Sequence, residues 1–318
     1  RNWESFPLAP AGTAAAGTPL NWNHNFQNNP YWVLDTNRNT LAKDRLIGNI
    51  DVSYQLTDWL SFSQKIGIDT YSQLETQRQA VGSNNAQNGS YFEVQRRFEE
   101  VNATSLLSVN KPISEDFGFS ASVGFQHMNR RYNSTSGFLP GLELPNLYTL
   151  SNLQTGATAN VSSFSRNQQI NSVFGFGQFS YKNMIFIDFT ARQDYASILP
   201  VKNNSFFYPS VATSLLLSEM IDMKGAKIDF LKIRGGWSQV GSTGALAPYN
   251  IIPTFGLTNT GFGNQGFLPN TQFNPELKAE TVTGIEFGLD AKLFSNRLRL
   301  SATYYDQQSE DLLVPIQV

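Results

Sequence analysis

Apolar and polar residues alternate with a period of two along much of the chain. From position 281 the odd residues Thr281, Thr283, Ile285, Phe287, Leu289, Ala291 and Leu293 form a largely apolar set. Between them stand Val282, Gly284, Glu286, Gly288, Asp290 and Lys292. Successive strand side chains point to opposite faces, so this alternation predicts a strand. After a short turn at 294–297 the pattern resumes, with Leu298, Leu300, Ala302 and Tyr304 opposing Arg299, Ser301 and Thr303. The same pattern runs through Leu46–Leu56, Leu60–Ile68, Phe117–Phe125 and Leu231–Trp237. Ten strands are predicted: 45–57, 60–76, 91–109, 117–132, 166–181, 184–195, 206–217, 230–240, 281–293 and 297–314.

Most of these exceed the usual strand of about 5–6 residues and reach the roughly 9–11 that cross a bilayer. Their connections alternate in length. Those near 58, 111–116, 182–183, 218–229 and 294–296 are mostly short, and those at 77–90, 133–165, 196–205 and 241–280 are longer. Short turns at one end and long loops at the other are the layout of an outer-membrane barrel. The expected fold is therefore all-β, a transmembrane antiparallel β-barrel with apolar residues facing lipid and polar residues facing the lumen. A soluble sandwich or propeller also alternates, but neither needs strands this long or loops of this length.

Composition narrows the functional classes. Lys plus Arg is 23 and Asp plus Glu is 25, a formal charge of −2, which argues against a basic nucleic-acid binder. Charged residues make up 15%, against about 25% in an average soluble domain, as suits a face that lines a passage without being strongly charged. There is no cysteine, so no disulfide or thiolate metal site exists. The start, Arg1-Asn2-Trp3-Glu4, does not read as a signal peptide.

Catalytic and metal chemistry finds little support. The two histidines, His24 and His127, are far apart, no Gly-x-Ser-x-Gly elbow accompanies them, and His127 falls on the apolar phase of its strand. Asp35-Thr36-Asn37-Arg38-Asn39 imitates the start of a calcium hand, but Thr40 replaces the sixth-place Gly and Leu46 the final Glu. A looser loop-bound calcium stays open; no other cofactor is expected. Phe174-Gly175-Phe176-Gly177 lies inside a strand and reads as lipid-facing Phe beside small lumen-facing residues. Tyr54, Trp59, Tyr71, Tyr132, Tyr181 and Tyr304 at strand ends read as an interfacial girdle. The loop aromatics Trp22, Tyr31, Trp32, Tyr249, Phe262 and Phe267 are the candidate ligand-binding residues. They would either stack on sugar faces and peptide side chains or pack among the loops.

Particular motifs sharpen the reading. Asn29-Pro30-Tyr31-Trp32 and Asp44-Arg45-Leu46-Ile47-Gly48 stand near the start, and Tyr208-Pro209-Ser210-Val211 in the middle. Leu231-Lys232-Ile233-Arg234-Gly235-Gly236-Trp237 follows, then Asn274-Pro275-Glu276-Leu277-Lys278-Ala279-Glu280-Thr281 and Tyr304-Tyr305-Asp306. Together these resemble the C-terminal half of the SusC/RagA-type TonB-dependent outer-membrane receptors of Bacteroidota. The resemblance implies a 22-stranded barrel closed by an N-terminal plug, of which 45–318 would supply about ten strands and 1–44 an extracellular loop segment leading into them. No plug or TonB-binding segment is recognised in these residues, and Val314-Pro315-Ile316-Gln317-Val318 does not read as a terminal aromatic strand, so a part of a larger barrel is expected. The resemblance further implies import of oligosaccharides or peptides, with no enzymatic step. Its implied partners are a SusD-like surface lipoprotein lid, TonB acting through the N-terminal region, outer-membrane lipid and other outer-membrane subunits. The competing expectation is a barrel of the same type serving as a scaffold in an outer-membrane complex.

Overall fold

A computed structural model describes residues 27–314, apart from 224, 226, 245, 253, 261–262 and 270–273. Ten strands follow one another in a single antiparallel sheet: β1 (Thr40–Thr57), β2 (Leu60–Gln79), β3 (Ser90–Pro112), β4 (Phe117–Leu139), β5 (Asn160–Tyr181), β6 (Ile185–Ala196), β7 (Ser205–Leu216), β8 (Ile228–Ser242), β11 (Glu280–Leu293) and β12 (Leu298–Glu310). A two-stranded hairpin, β9 (Gly256–Thr260) with β10 (Gly263–Phe267), stands within the connection from β8 to β11. Among the described residues there are also two short helices, α1 (Pro30–Thr36) and α2 (Leu217–Met220), and a 3-10 turn at Val201–Asn203. No described helix is long and apolar enough to cross a membrane, which says nothing of strands.

All ten predicted strands are found, and several run further than the alternation indicated. β4 continues to Leu139 and β5 begins at Asn160, so the connection read as 133–165 shrinks to 140–159. The extensions are mostly polar. Asn133 and Ser165 are hydrogen bonded across β4 and β5 at 2.8 Å. Hydrophobic alternation marks only the segment that meets lipid; beyond it the backbone ladder and cross-strand polar bonds keep the chain extended. The turn between β5 and β6 is tight. Lys182 and Asn183 take φ values of 48° and 54°, and the Met184 amide donates to the Tyr181 carbonyl at 2.9 Å. Positive φ at both central residues matches the right-handed twist of the flanking strands.

Cross-strand register fixes the two faces. Leu289 lies between Ile233 of β8 and Ala302 of β12, and Asp290 lies between Lys232 and Ser301. Leu289 therefore belongs to an apolar face and Asp290 to a polar one, as the alternation predicted. Ile50, Tyr54, Phe287 and Tyr304 remain 59–70% exposed on the apolar face, an arrangement that requires a non-aqueous neighbour.

The chain forms two compact units. The first comprises residues up to Gly48, Ile68–Glu100 and Arg130–Asn167. Its small core joins Tyr91, Leu139 and Leu142 with Val81, Tyr148 and Leu153 from the loops 80–89 and 140–159. In this unit α1 is an element the sequence reading did not foresee, and β1 starts at Thr40, ahead of the expected position 45. Asn29 caps α1 by accepting the Tyr31 amide on Oδ1, and Pro30 opens it with a suitable fixed φ. The second unit comprises Asn49–Gly67, Val101–Asn129 and residues from Gln168 on. Its core is Ala196, Ile198, Leu199 and Ala279, packed by Ile170, Phe206 and Leu246.

Candidate functional site

The polar face of the second unit is built around two arginines. Arg234 on β8 donates through Nη1 to Glu286 and through Nη2 to Thr303 Oγ1 at 2.7 Å, and its Nε stands 3.5 Å from Asp290. To reach Thr303 on β12 it must cross β11, and it does so over Gly288. A Cβ at that position would stand 2.5 Å from Arg234 Nε, so a residue with a side chain would lift the guanidinium off the sheet. Beside it lies an open cleft of about 290 Å³ lined by Asp188, Ala212, Ser214, Lys232, Gly236 and Glu286.

Arg192 on β6 anchors the other group. Its Nε donates to Asp194 Oδ1 at 2.7 Å, and its Nη2 donates to Gln126 on β4 and Ser172 on β5. The second oxygen of Asp194 accepts the Tyr208 hydroxyl. Asp194 is only 7% exposed, and its negative charge is held by the arginine and the phenol together. The guanidinium also lies over the Phe174 ring, 5.4 Å from its centroid.

That contact corrects the reading of Phe174-Gly175-Phe176-Gly177. Register pairs Phe174 with Arg192 and Phe176 with Thr190, so both rings stand on the polar face. Gly177 pairs with Phe189 and occupies the apolar face, where its missing side chain leaves room for that ring. The phase was misread because Phe was taken as the lipid-facing member, although Val173 and Phe179 supply that side. Two girdle assignments are corrected in the same way. Tyr71, two residues from Asp69, stacks on Phe98 with Lys43 Nζ 4.0 Å from its centroid, in the first unit's polar row with the Arg45–Asp69 pair. Tyr132, two residues from Arg130, packs edge-on against Phe164 on the polar face.

The family model described as TonB dependent receptor-like, beta-barrel matches residues 5–318. This chain belongs to the TonB-dependent receptor β-barrel family. Among relatives, the TonB-dependent receptor P3 of Formosa agariphila is 28% identical over 298 residues, covering 90% of this chain and 29% of that protein. The TonB-dependent receptor P26 of the same organism is 28% identical over 154 residues, 47% of this chain and 16% of its own length. The chain thus spans less than a third of the length of these relatives. Among solved structures, the RagAB peptide transporter superposes with a TM-score of 0.80 at 18% identity, over 95% of this chain and 33% of that one. The RagAB peptide importer in its open-open state gives 0.79 at 19% identity, over 93% and 32%. The fold is that of the SusC/RagA-type barrels, and the family places the chain in the bacterial outer membrane. The apolar face is accordingly the lipid face, and the polar face lines the lumen.

The residues singled out as ligand-binding are scattered in this receptor barrel. Trp22 and Phe262 lie outside the described residues, as does His24. Tyr31 and Trp32 are neighbours on α1, but Trp32 is only 5% exposed. Its indole is buried within the first unit. Tyr31 is half-buried beside it. Tyr249 and Phe267 belong to the second unit and are about half exposed, Tyr249 in a loop with φ of 72° and Phe267 closing β10. Asp35 is held by Arg38 at 3.4 Å, and among the described residues no group of three or more His, Asp or Glu is placed to hold a metal. His127 keeps its apolar-phase position, where Nδ1 stands 2.7 Å from Asn171 Oδ1.

The sequence reading missed the luminal arginines and the rings that flank them. Their signal was present as polar residues two apart, such as Arg192 with Asp194 and Lys232 with Arg234. Which rings joined them depended on register.

Proposed function

We propose that this chain is barrel wall of a TonB-dependent importer that brings short peptides across the outer membrane beneath a SusD-like lipoprotein lid. TonB would engage a part of the longer protein outside residues 1–318. The observation that carries this reading is the wall itself. One face is apolar and exposed, and the other is largely polar, with charges paired within the wall at Arg234 and Arg192. Paired charges leave a hydrated surface along which cargo can move without being trapped by an unsatisfied ion. The peptide assignment is supported by the RagAB peptide transporter's fold; oligosaccharide is the other cargo class implied by the motifs. These residues make and break no bond, and the work is conformational, driven through TonB.

The test is uptake of a labelled peptide by cells carrying the longer receptor and its lipoprotein. Uptake should disappear on deletion of the receptor and on collapse of the proton gradient. Peptide entry indifferent to both, with an outer-membrane complex that falls apart on deletion, would favour the scaffold reading.

A further inference from the structure

The outward faces of β3 and β4 change character toward the connections 80–89 and 140–159. On β4 the exposed apolar Val123 and Phe125 give way to Arg131 and Asn133, and on β3 Leu107 and Val101 give way to Glu99, Arg97 and Gln95. Parity is fixed from the luminal side. Gln126 and Arg130 of β4 turn inward to Arg192 and Glu100, and Arg96 of β3 turns inward to Glu75. Arg96 and Arg130 are thus neutralised by carboxylates. Their outward chain neighbours are not: among the described residues, Arg97 and Arg131 are exposed and neither has a carboxylate in ion-pair contact. By the register that joins Arg130 to Glu100, Glu99 stands opposite Arg131 and Asn133 opposite Arg97. Arg97 borders an open cleft of about 270 Å³ with Gln95, Asn133, Ser134 and Thr135. Asn133 accepts the Ser165 hydroxyl on Oδ1 at 2.8 Å, which leaves its amide nitrogen, a donor only, for the cleft.

This cleft continues the side of the sheet that meets lipid. Arg97 lies four residues beyond Val101, about 13 Å along the strand and about 10 Å in height once the strands' tilt of roughly 35–45° is counted. The headgroup layer adds roughly 5–8 Å beyond the hydrocarbon, and an arginine's long stem can lean back toward it. Two guanidinium groups and neutral donors at that level fit an anion, and the planar fork of arginine matches the oxygens of a phosphate. We propose that Arg97 and Arg131, with the Asn133 amide, hold the phosphate of an outer-leaflet lipid headgroup against the outside of the barrel. The site lies on the wall's outer face and does not depend on what passes through the lumen.

The experiment uses the full-length receptor with its lipoprotein, purified in detergent and followed by native mass spectrometry. It is titrated with lipid A carrying its phosphate groups and with the same lipid A after their removal. The wild type should bind the phosphorylated lipid more tightly, by roughly fivefold to thirtyfold for two arginines beside an anionic surface. Arg97→Gln combined with Arg131→Gln should abolish that preference, and Arg97→Lys with Arg131→Lys, which keeps the charge, should retain most of it. Arg166→Gln, which removes an exposed arginine lying over Phe164, should leave it unchanged. Equal binding of the two lipids by the wild type overturns the proposal. A preference that survives the double Gln variant, or that falls as far in Arg166→Gln, does the same. Full displacement of the lipid by millimolar inorganic phosphate would assign the cleft to a free anion and also overturn it. So would loss of a second receptor copy from the complex in the double Gln variant, because the arginines would then bridge two copies of the chain.

Discussion

Gly124 has no side chain because none fits. A Cβ there would stand 2.5 Å from the Phe174 ring and 2.9 Å from the Ser105 carbonyl oxygen, and the backbone contact cannot be relieved by a rotamer change. Gly124→Ala should therefore destabilise the barrel by about 1–3 kcal/mol, the usual cost of overpacking. Its heat-modifiable band should unfold at lower temperature than wild type, and an unchanged transition would remove the packing argument. Tyr91 tests the loop core at the same scale. It is 6% exposed, its hydroxyl donates to Glu93 at 2.7 Å, and its phenol is pushed up to about 12, first by burial and then by that carboxylate. The folded state thus favours the protonated phenol beyond the ordinary value of 10.0. This contribution is complete below about pH 10 and is lost as pH rises toward about 12. Proteolytic nicking of loop 140–159 should accelerate across that interval in wild type. In Tyr91→Phe the interval should bring no such additional change.

At the scale of the element, phase is the property that matters. In β11 the Leu289 side chain meets lipid between Ile233 and Ala302, while Asp290 accepts the Ser301 hydroxyl at 2.6 Å on the luminal side. Leu289→Arg should cost about 2–4 kcal/mol near the bilayer midplane. Asp290→Asn, one residue along, should cost far less, because the luminal face is wet. Folding titrations of the two variants into vesicles check the contrast, and equal losses would undo the assignment of faces. Strand chemistry elsewhere follows the same logic. Pro209 has no amide to donate, and β7 pairs with β8 only from Ser210 onward, so Pro209 sits just past the end of that ladder.

At the scale of the whole molecule, the connections 80–89, 140–159, 197–204 and 243–279 alternate along the chain with the turns 58–59, 113–116, 182–184 and 294–297 and with the longer 217–227. Barrels of this class expose the long loops outside the cell. Gly156 has a φ of 84° and open space around it, so an insertion there disturbs no packing. An epitope tag at Gly156 should be reached by antibody on intact cells, and detection only after the outer membrane is broken would reverse the topology. The sheet runs from β1 to β12 without pairing them, and every residue of both strands is exposed. Unpaired edges are not tolerated in hydrocarbon, which fits a chain that spans less than a third of its relatives' length.

The alternation of residues by itself determined the all-β fold, the place of ten strands, the order of short and long connections, and the faces of β11. These are local properties: a side chain's direction along one strand follows from its parity, and alternation sustained over about nine residues is long enough to cross a bilayer. The tertiary structure alone decided what parity means when both faces offer a plausible partner. Phe174 and Phe176 joined the polar face because their neighbours across the ladder are Arg192 and Thr190 and because Gly124 leaves room beneath a ring. Tyr71 and Tyr132 left the girdle for the same reason. The burial of Trp32 on α1 was not legible either, because a seven-residue helix is too short to declare a buried face in sequence. The extensions of β4 and β5 were equally hidden, since hydrogen bonds to a neighbouring strand help hold them and their few apolar residues do not alternate. Register is a relation between distant segments, and only the assembled sheet states it.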